Sequence, residues 1–166
     1  MKKILFLFLI TSLTLSACGT KKTVTQATPT PVPRELTITD NQKPTINLTS
    51  REDGHELTLI ISKVDPIFTK IEYELIYTAS DAGIEIEKGV SGNVESKDYV
   101  NGVAQRKILL GTESCTSGCK YKYDAGVNGG NLNLTMITKD NQVASLEIPF
   151  TLAQVKGKGF TVTFTK

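Results

Sequence analysis

The stretch Ile71-Glu72-Tyr73-Glu74-Leu75-Ile76-Tyr77, IEYELIY, decides the reading of this chain. Ile71, Tyr73, Leu75 and Tyr77 occupy alternate positions, with Glu72, Glu74 and Ile76 between them. In a β-strand successive side chains point to opposite faces, so residues two apart share a face. A helix would scatter the same apolar positions around its circumference. The alternation therefore predicts a strand with one face on a core and a carboxylate-bearing face toward water.

The period of two recurs on both sides of that stretch. Upstream, Leu57, Leu59 and Ile61 alternate with Thr58, Ile60 and Ser62, Ile46 and Leu48 with Asn47 and Thr49, and Leu36 and Ile38 with threonines. Downstream come Leu132, Leu134 and Met136, then Leu146, Ile148, Phe150 and Leu152, and finally Phe160, Val162 and Phe164. Turn signals separate these runs: REDGH at 51–55, SDAG at 80–83, VNGV at 100–103, KDNQ at 139–142, GVNGGN at 126–131 and KGKG at 156–159. Glycine and asparagine there supply the positive φ that tight hairpins need. No segment sustains a 3.6-residue period, and no internal repeat is present. Eight or nine short strands in a stretch of domain size predict an all-β fold, an antiparallel two-sheet β-sandwich spanning 35–166. The pattern resembles immunoglobulin-like and fibronectin type III-like sandwiches. It lacks the cysteine–tryptophan–cysteine signature of antibody domains, because the chain contains no Trp. Jelly-roll and other sandwich topologies stay open.

The first residues address the compartment. Met1-Lys2-Lys3 forms a short positive region, followed by the wholly apolar run from Ile4 to Ile10 and a leucine-threonine continuation to Leu15. Such a run is a secretory signal peptide, too short for a membrane-spanning helix of about 20 residues. Leu15-Ser16-Ala17-Cys18 resembles the lipobox of bacterial lipoproteins. The resemblance implies cleavage after Ala17, so that 1–17 is removed, and a diacylglycerol on the Cys18 sulfur. Gly19, rather than Asp, follows the cysteine. In a two-membrane cell this implies the outer membrane, and in a one-membrane cell the outer face of the cytoplasmic membrane. Two acyl chains suffice for stable anchoring. Residues 18–34 then read as a tether: Pro29, Pro31 and Pro33 alternate with Thr and Val and favour an extended spacer. At about 3.1 Å per residue it reaches roughly 50 Å.

Processing also changes the charge. The chain has 19 basic and 17 acidic residues, and loss of Lys2 and Lys3 leaves a formally neutral mature protein. Neutrality and export together argue against nucleic acid as a partner.

Cys115 and Cys119 lie in ESCTSGCKY, residues 113–121. A zinc site would need two further Cys or His ligands. Cys18 is consumed by lipid, and His55 is the single histidine. A redox pair is usually Cys-x-x-Cys at a helix start in a βαβ setting, whereas here three residues intervene in an all-strand context. In an oxidising compartment the expectation is a disulfide that stiffens the turn between a strand ending near Leu110 and one starting near Lys120.

No catalytic constellation emerges. His55 reads as a solvated turn residue, and the pairs Glu72/Glu74 and Glu85/Glu87 as solvent-facing strand positions opposite Ile71/Tyr73/Leu75 and Ile84/Ile86. Neither Asp81 nor Asp140 sits in a loop with oxygen ligands at the offsets calcium needs. Tyr99, Tyr121 and Tyr123 are the aromatics open to exposure. Tyr121 and Tyr123 alternate with Lys120 and Lys122, which makes this segment a candidate contact surface, or else an ordinary strand with its tyrosines inward. The expectation is a non-catalytic, lipid-anchored envelope module with no cofactor and no metal. Its partners would be the membrane, through the lipid, and an envelope protein or polymer. The alternative is an envelope hydrolase, or a Ca-dependent carbohydrate-binding protein, working through surface carboxylates.

Overall fold

The computed structural model describes residues 32–165; the expected signal peptide, Cys18 and most of the tether lie outside them. The described chain is all-β. Its strands are β1 (Arg34–Glu35), β2 (Thr45–Ser50), β3 (Glu56–Ser62), β4 (Phe68–Asp81), β5 (Ile84–Glu95), β6 (Val103–Leu109), β7 (Gly111–Cys115), β8 (Cys119–Tyr123), β9 (Gly130–Thr138), β10 (Gln142–Val155) and β11 (Gly159–Phe164). Short 3₁₀ turns occupy Asp40–Gln42 and Ser96–Asp98.

The largest sheet follows the order β1-β10-β9-β4-β5, with β11 also paired to β10; a second sheet has the order β2-β3-β6, and β7 and β8 pair only with each other. All pairings are antiparallel except the short one between β1 and β10. The IEYELIY stretch lies within β4, with β5 on one side and β9 on the other. Leu57, Leu59 and Ile61 of β3 meet Ile71, Leu75 and Tyr77 of β4 and Leu132, Leu134 and Met136 of β9 in one buried cluster. The two larger sheets thus share a core, which is what the alternate apolar positions require.

Eleven strands form where eight or nine are expected. One addition is the two-residue β1; Leu36 and Ile38 do not continue it but pack, half-buried, against the core. Another arises at Gly111, where the strand expected to end near Leu110 continues as a new one. Gly111 has φ 152°, and a Cβ there would collide with the Lys122 carbonyl. Leu110 N–H still donates to His55 O (2.9 Å), while Leu110 O already accepts from Asp124 N–H (3.0 Å). The chain therefore leaves β3 and takes up β8 as partner across one residue. Three apolar residues depart from their expected faces. Phe164 is 36% exposed at the end of β11, Ile84 is 68% exposed at the tip of the β4–β5 hairpin, and Tyr99 is half-buried rather than exposed, its hydroxyl without a partner.

The antiparallel order places the connections at two poles. At one, the turn 51–55, the β4–β5 tip and the β7–β8 hairpin meet: His55 stacks on Tyr123, Lys122 Nζ lies 3.9 Å from Asp81, and Ser80 N–H donates to Ala125 O (2.7 Å). At the other, segments 63–66 and 96–102 line one groove. The start of β10, which holds β1, belongs to that second pole: β9 runs antiparallel to β4 and β10 antiparallel to β9, so β10 runs in the direction of β4 and begins near its start. The described chain thus enters at the pole opposite the hairpin.

Candidate functional site

The β7–β8 hairpin is a two-stranded ribbon, and such ribbons are marginal in water unless something else holds them. Two devices do so here. At the tip, Cys115 and Cys119 are directly opposed and disulfide-bonded, with Cα atoms 4.1 Å apart. Three residues, Thr116, Ser117 and Gly118, close the turn between them, the last at φ 118°. The expected staple is present, at the end of a strand pair rather than across an irregular turn. At the base, the Asp124 carboxylate, only 6% exposed, accepts from the Tyr77 hydroxyl (2.7 Å) and pairs with the Lys88 ammonium of β5. Burial, and then the hydrogen bond to Asp124, push the Tyr77 phenol well above its ordinary range. Sequence reading missed this anchor because its members are far apart in the chain.

The ribbon's register sorts the candidate contact residues. Glu113 opposes Tyr121 and Gly111 opposes Tyr123, so Tyr121, Tyr123, Glu113 and the disulfide share one face. Lys120 and Lys122 oppose Ser114 and Thr112 on the other, where Lys122 approaches Asp81. The tyrosines and lysines do not form one surface. The tyrosines do not turn inward either: Tyr121 is 50% and Tyr123 39% exposed.

Cations reach the tyrosine face from elsewhere. A groove of about 440 Å³ is lined by Arg51, Glu56, Lys107, Leu109, Glu113, Tyr121 and Tyr123. Arg51 Nε donates to Asp53 (2.8 Å) and Arg51 Nη1 lies 3.3 Å from Glu56, which also has Lys107 at 3.8 Å. The Arg51 bond, and after it the His55 N–H, hold the Asp53 carboxyl down to about 2. His55 is not a merely solvated turn residue. It is half-buried, and its ring lies on Tyr123 with centroids 3.8 Å apart and planes 5° from parallel. Tyr121 follows at 6.0 Å and 10°. Hydrogen bonding to Glu113 pushes the Tyr121 phenol up from its ordinary value. No local motif announced this assembly, since the turn after β2 and the start of β3 contribute one lining residue each, β6 two and the hairpin three.

The carboxylate pairs behave otherwise. Glu72 and Glu74 are exposed on β4, where Glu72 pairs with Lys70 (2.5 Å), and they line a polar groove with Ser91, Asn93, Asn133 and Thr135. Glu85 and Glu87 are exposed on β5. Neither pair converges across an enclosed cavity, the arrangement that carboxylate hydrolysis of a glycosidic bond requires. Among the described residues, one group of three metal-donor side chains comes together, Glu113, Cys115 and Cys119, within 4.8 Å. Its sulfurs are joined to each other and so present no thiolate to a metal. Among the same residues no helix is long and apolar enough to cross a membrane.

No protein-family model matches the chain, and no curated protein or solved structure is significantly similar to it.

Proposed function

We propose that this chain is a lipid-anchored, non-catalytic binding module of the bacterial cell envelope, a two-sheet immunoglobulin-like sandwich that presents the tyrosine face of the β7–β8 hairpin to an envelope protein or polymer. The strand order supports the sandwich. Lettered in chain order, β2 and β3 correspond to A and B, β4 and β5 to C and C′, β6 to E, and β9 and β10 to F and G. The sheets then read ABE and GFCC′, the partition typical of immunoglobulin-type domains. The hairpin is an insertion between E and F.

The signal-like run and Leu15-Ser16-Ala17-Cys18 support the anchor. The observation that carries the binding role is the exposure of Tyr121 and Tyr123 on a ribbon stapled at its tip and ion-paired at its base. Rigid, exposed tyrosines give contact area at low ordering cost, which is why they are enriched at interfaces.

The test uses the full chain expressed in a bacterium. A fatty-acid probe should label the wild type but not Cys18→Ala. Purified envelope fragments should co-sediment the wild type and retain several-fold less of Tyr121→Ala/Tyr123→Ala, whose melting temperature stays near wild type. Equal labelling of Cys18→Ala removes the anchor from the proposal, and equal co-sedimentation of the tyrosine variant removes the contact surface.

A further inference from the structure

We propose that the tyrosine face binds a neutral oligosaccharide chain, held against Tyr121 with its hydroxyls on Glu113, Glu56 and Arg51. The inference rests on the reading of this face as a contact surface and adds the chemical class of what it contacts.

The groove contains one aliphatic side chain, Leu109, and is otherwise aromatic and charged. The buried centre of a protein–protein interface is enriched in Tyr and Arg but depleted in Lys and Glu, and Lys107, Glu56 and Glu113 sit beside the tyrosines here, which favours a polar ligand over a folded protein. Its charges are two cations, Arg51 and Lys107, against two carboxylates, Glu56 and Glu113. A balanced lining gives a polyanion no net attraction and places desolvated carboxylates against it. A neutral polyol suits both signs, because each hydroxyl donates to a carboxylate and accepts from a guanidinium or ammonium. Carboxylates and guanidinium are planar and bidentate, and match neighbouring hydroxyls on a ring. Tyr121 supplies the apolar surface for the C–H face of that ring.

The groups are already in position. Arg51 is held between Asp53 and Glu56, Tyr123 is stacked on His55, and the disulfide is on the same face. Ordering such groups in advance reduces what binding must spend on immobilising them. The volume of about 440 Å³ falls in the range of small-ligand sites, enough for a short run of sugar rings rather than a polymer's whole width.

The experiment is isothermal titration of the full-length protein in a sugar-free zwitterionic detergent with two probes, cellotetraose and N-acetylchitotetraose. At least one should bind, with an affinity that changes less than twofold between low and high salt. Tyr121→Ala and Glu56→Gln should each weaken it tenfold or more, and Thr112→Ala, on the opposite face of the ribbon, should leave it unchanged. Binding of neither probe, or binding indifferent to Tyr121→Ala, overturns the saccharide. The same variants taken through envelope co-sedimentation separate the two proposals. If Tyr121→Ala loses the envelope while neither oligosaccharide binds or competes, the contact surface stands and the saccharide is wrong. If Tyr121→Ala keeps the envelope and neither probe binds, both fall.

Discussion

Strands β4 and β8 carry tyrosines at alternate positions, and the fates of those residues are opposite. Tyr73 and Tyr77 are 7% and 1% exposed, whereas Tyr121 and Tyr123 are 50% and 39% exposed. The local sequences, EYELIY and CKYKY, do not differ in period. What differs is the cover. Strand β4 has strands on both sides and the β2-β3-β6 sheet contributing to the same core. Beside it, Gly92 opposes Tyr73 and leaves room for a ring that any Cβ would run into. Strand β8 has one neighbour, and its rings lie on an open groove with the turn residue His55 stacked on Tyr123. Alternation thus establishes that a strand has two faces, and long-range pairing decides whether either is buried.

The contrast can be broken most severely from the β4 side. Leu75→Asp puts an unpaired charge at a fully buried position and should cost more than about 4 kcal/mol, enough to unfold the domain in a urea titration. Glu74→Lys, one residue away on the exposed face, should change the midpoint little; unfolding there as complete as for Leu75→Asp would invert the faces. Next is the joint between the two regions. Asp124→Ala leaves the Tyr77 hydroxyl and the Lys88 ammonium without their partner and should cost about 3 kcal/mol. It should also speed amide exchange in β7 and β8 more than in β9.

The tip is worth less. Cys115→Ser/Cys119→Ser opens a loop of only a few residues and should lose about 2 kcal/mol or less on the chain-entropy model. The variant should remain folded, and a thiol assay on the wild type should find no reactive thiol at these positions until reductant is added. The smallest effect concerns the turn under Tyr123. Asp53 is depressed to about 2 in the folded state, below the ordinary carboxylate value, so its contribution is full above about pH 4 and is lost as pH falls through about 2. The His55 amide, which donates to Asp53 (3.0 Å), should report this as a chemical-shift titration near pH 2 in otherwise folded protein.

Most of the core was legible from the sequence because burial follows the period directly: Leu57, Leu59, Ile61, Leu132, Leu134 and Met136 are all fully buried, as their alternation predicts. The pairing of Cys115 with Cys119 was legible because spacing and chemistry left few other outcomes. The faces of the hairpin were not. Whether Tyr121 and Lys120 form one surface depends on strand register, and the Glu113–Tyr121 pairing that separates them is set at Gly111, ten residues upstream. The groove was less legible still, since Arg51, Glu56 and Lys107 come together only when β2, β3 and β6 pair. Phe164 and Ile84 were misassigned for a related reason: alternation continues to the end of a strand whether or not the core does.

The proposed role requires that the molecule meet its partner through the hairpin pole. The most direct test installs a photo-crosslinking side chain, one at a time, at Tyr121 and at Val100, an exposed apolar residue at the opposite pole, in the full-length protein in living cells. Crosslinks to envelope material from position 121, with little from position 100, are the expected result. Crosslinks chiefly from position 100, or equally from both, would contradict it.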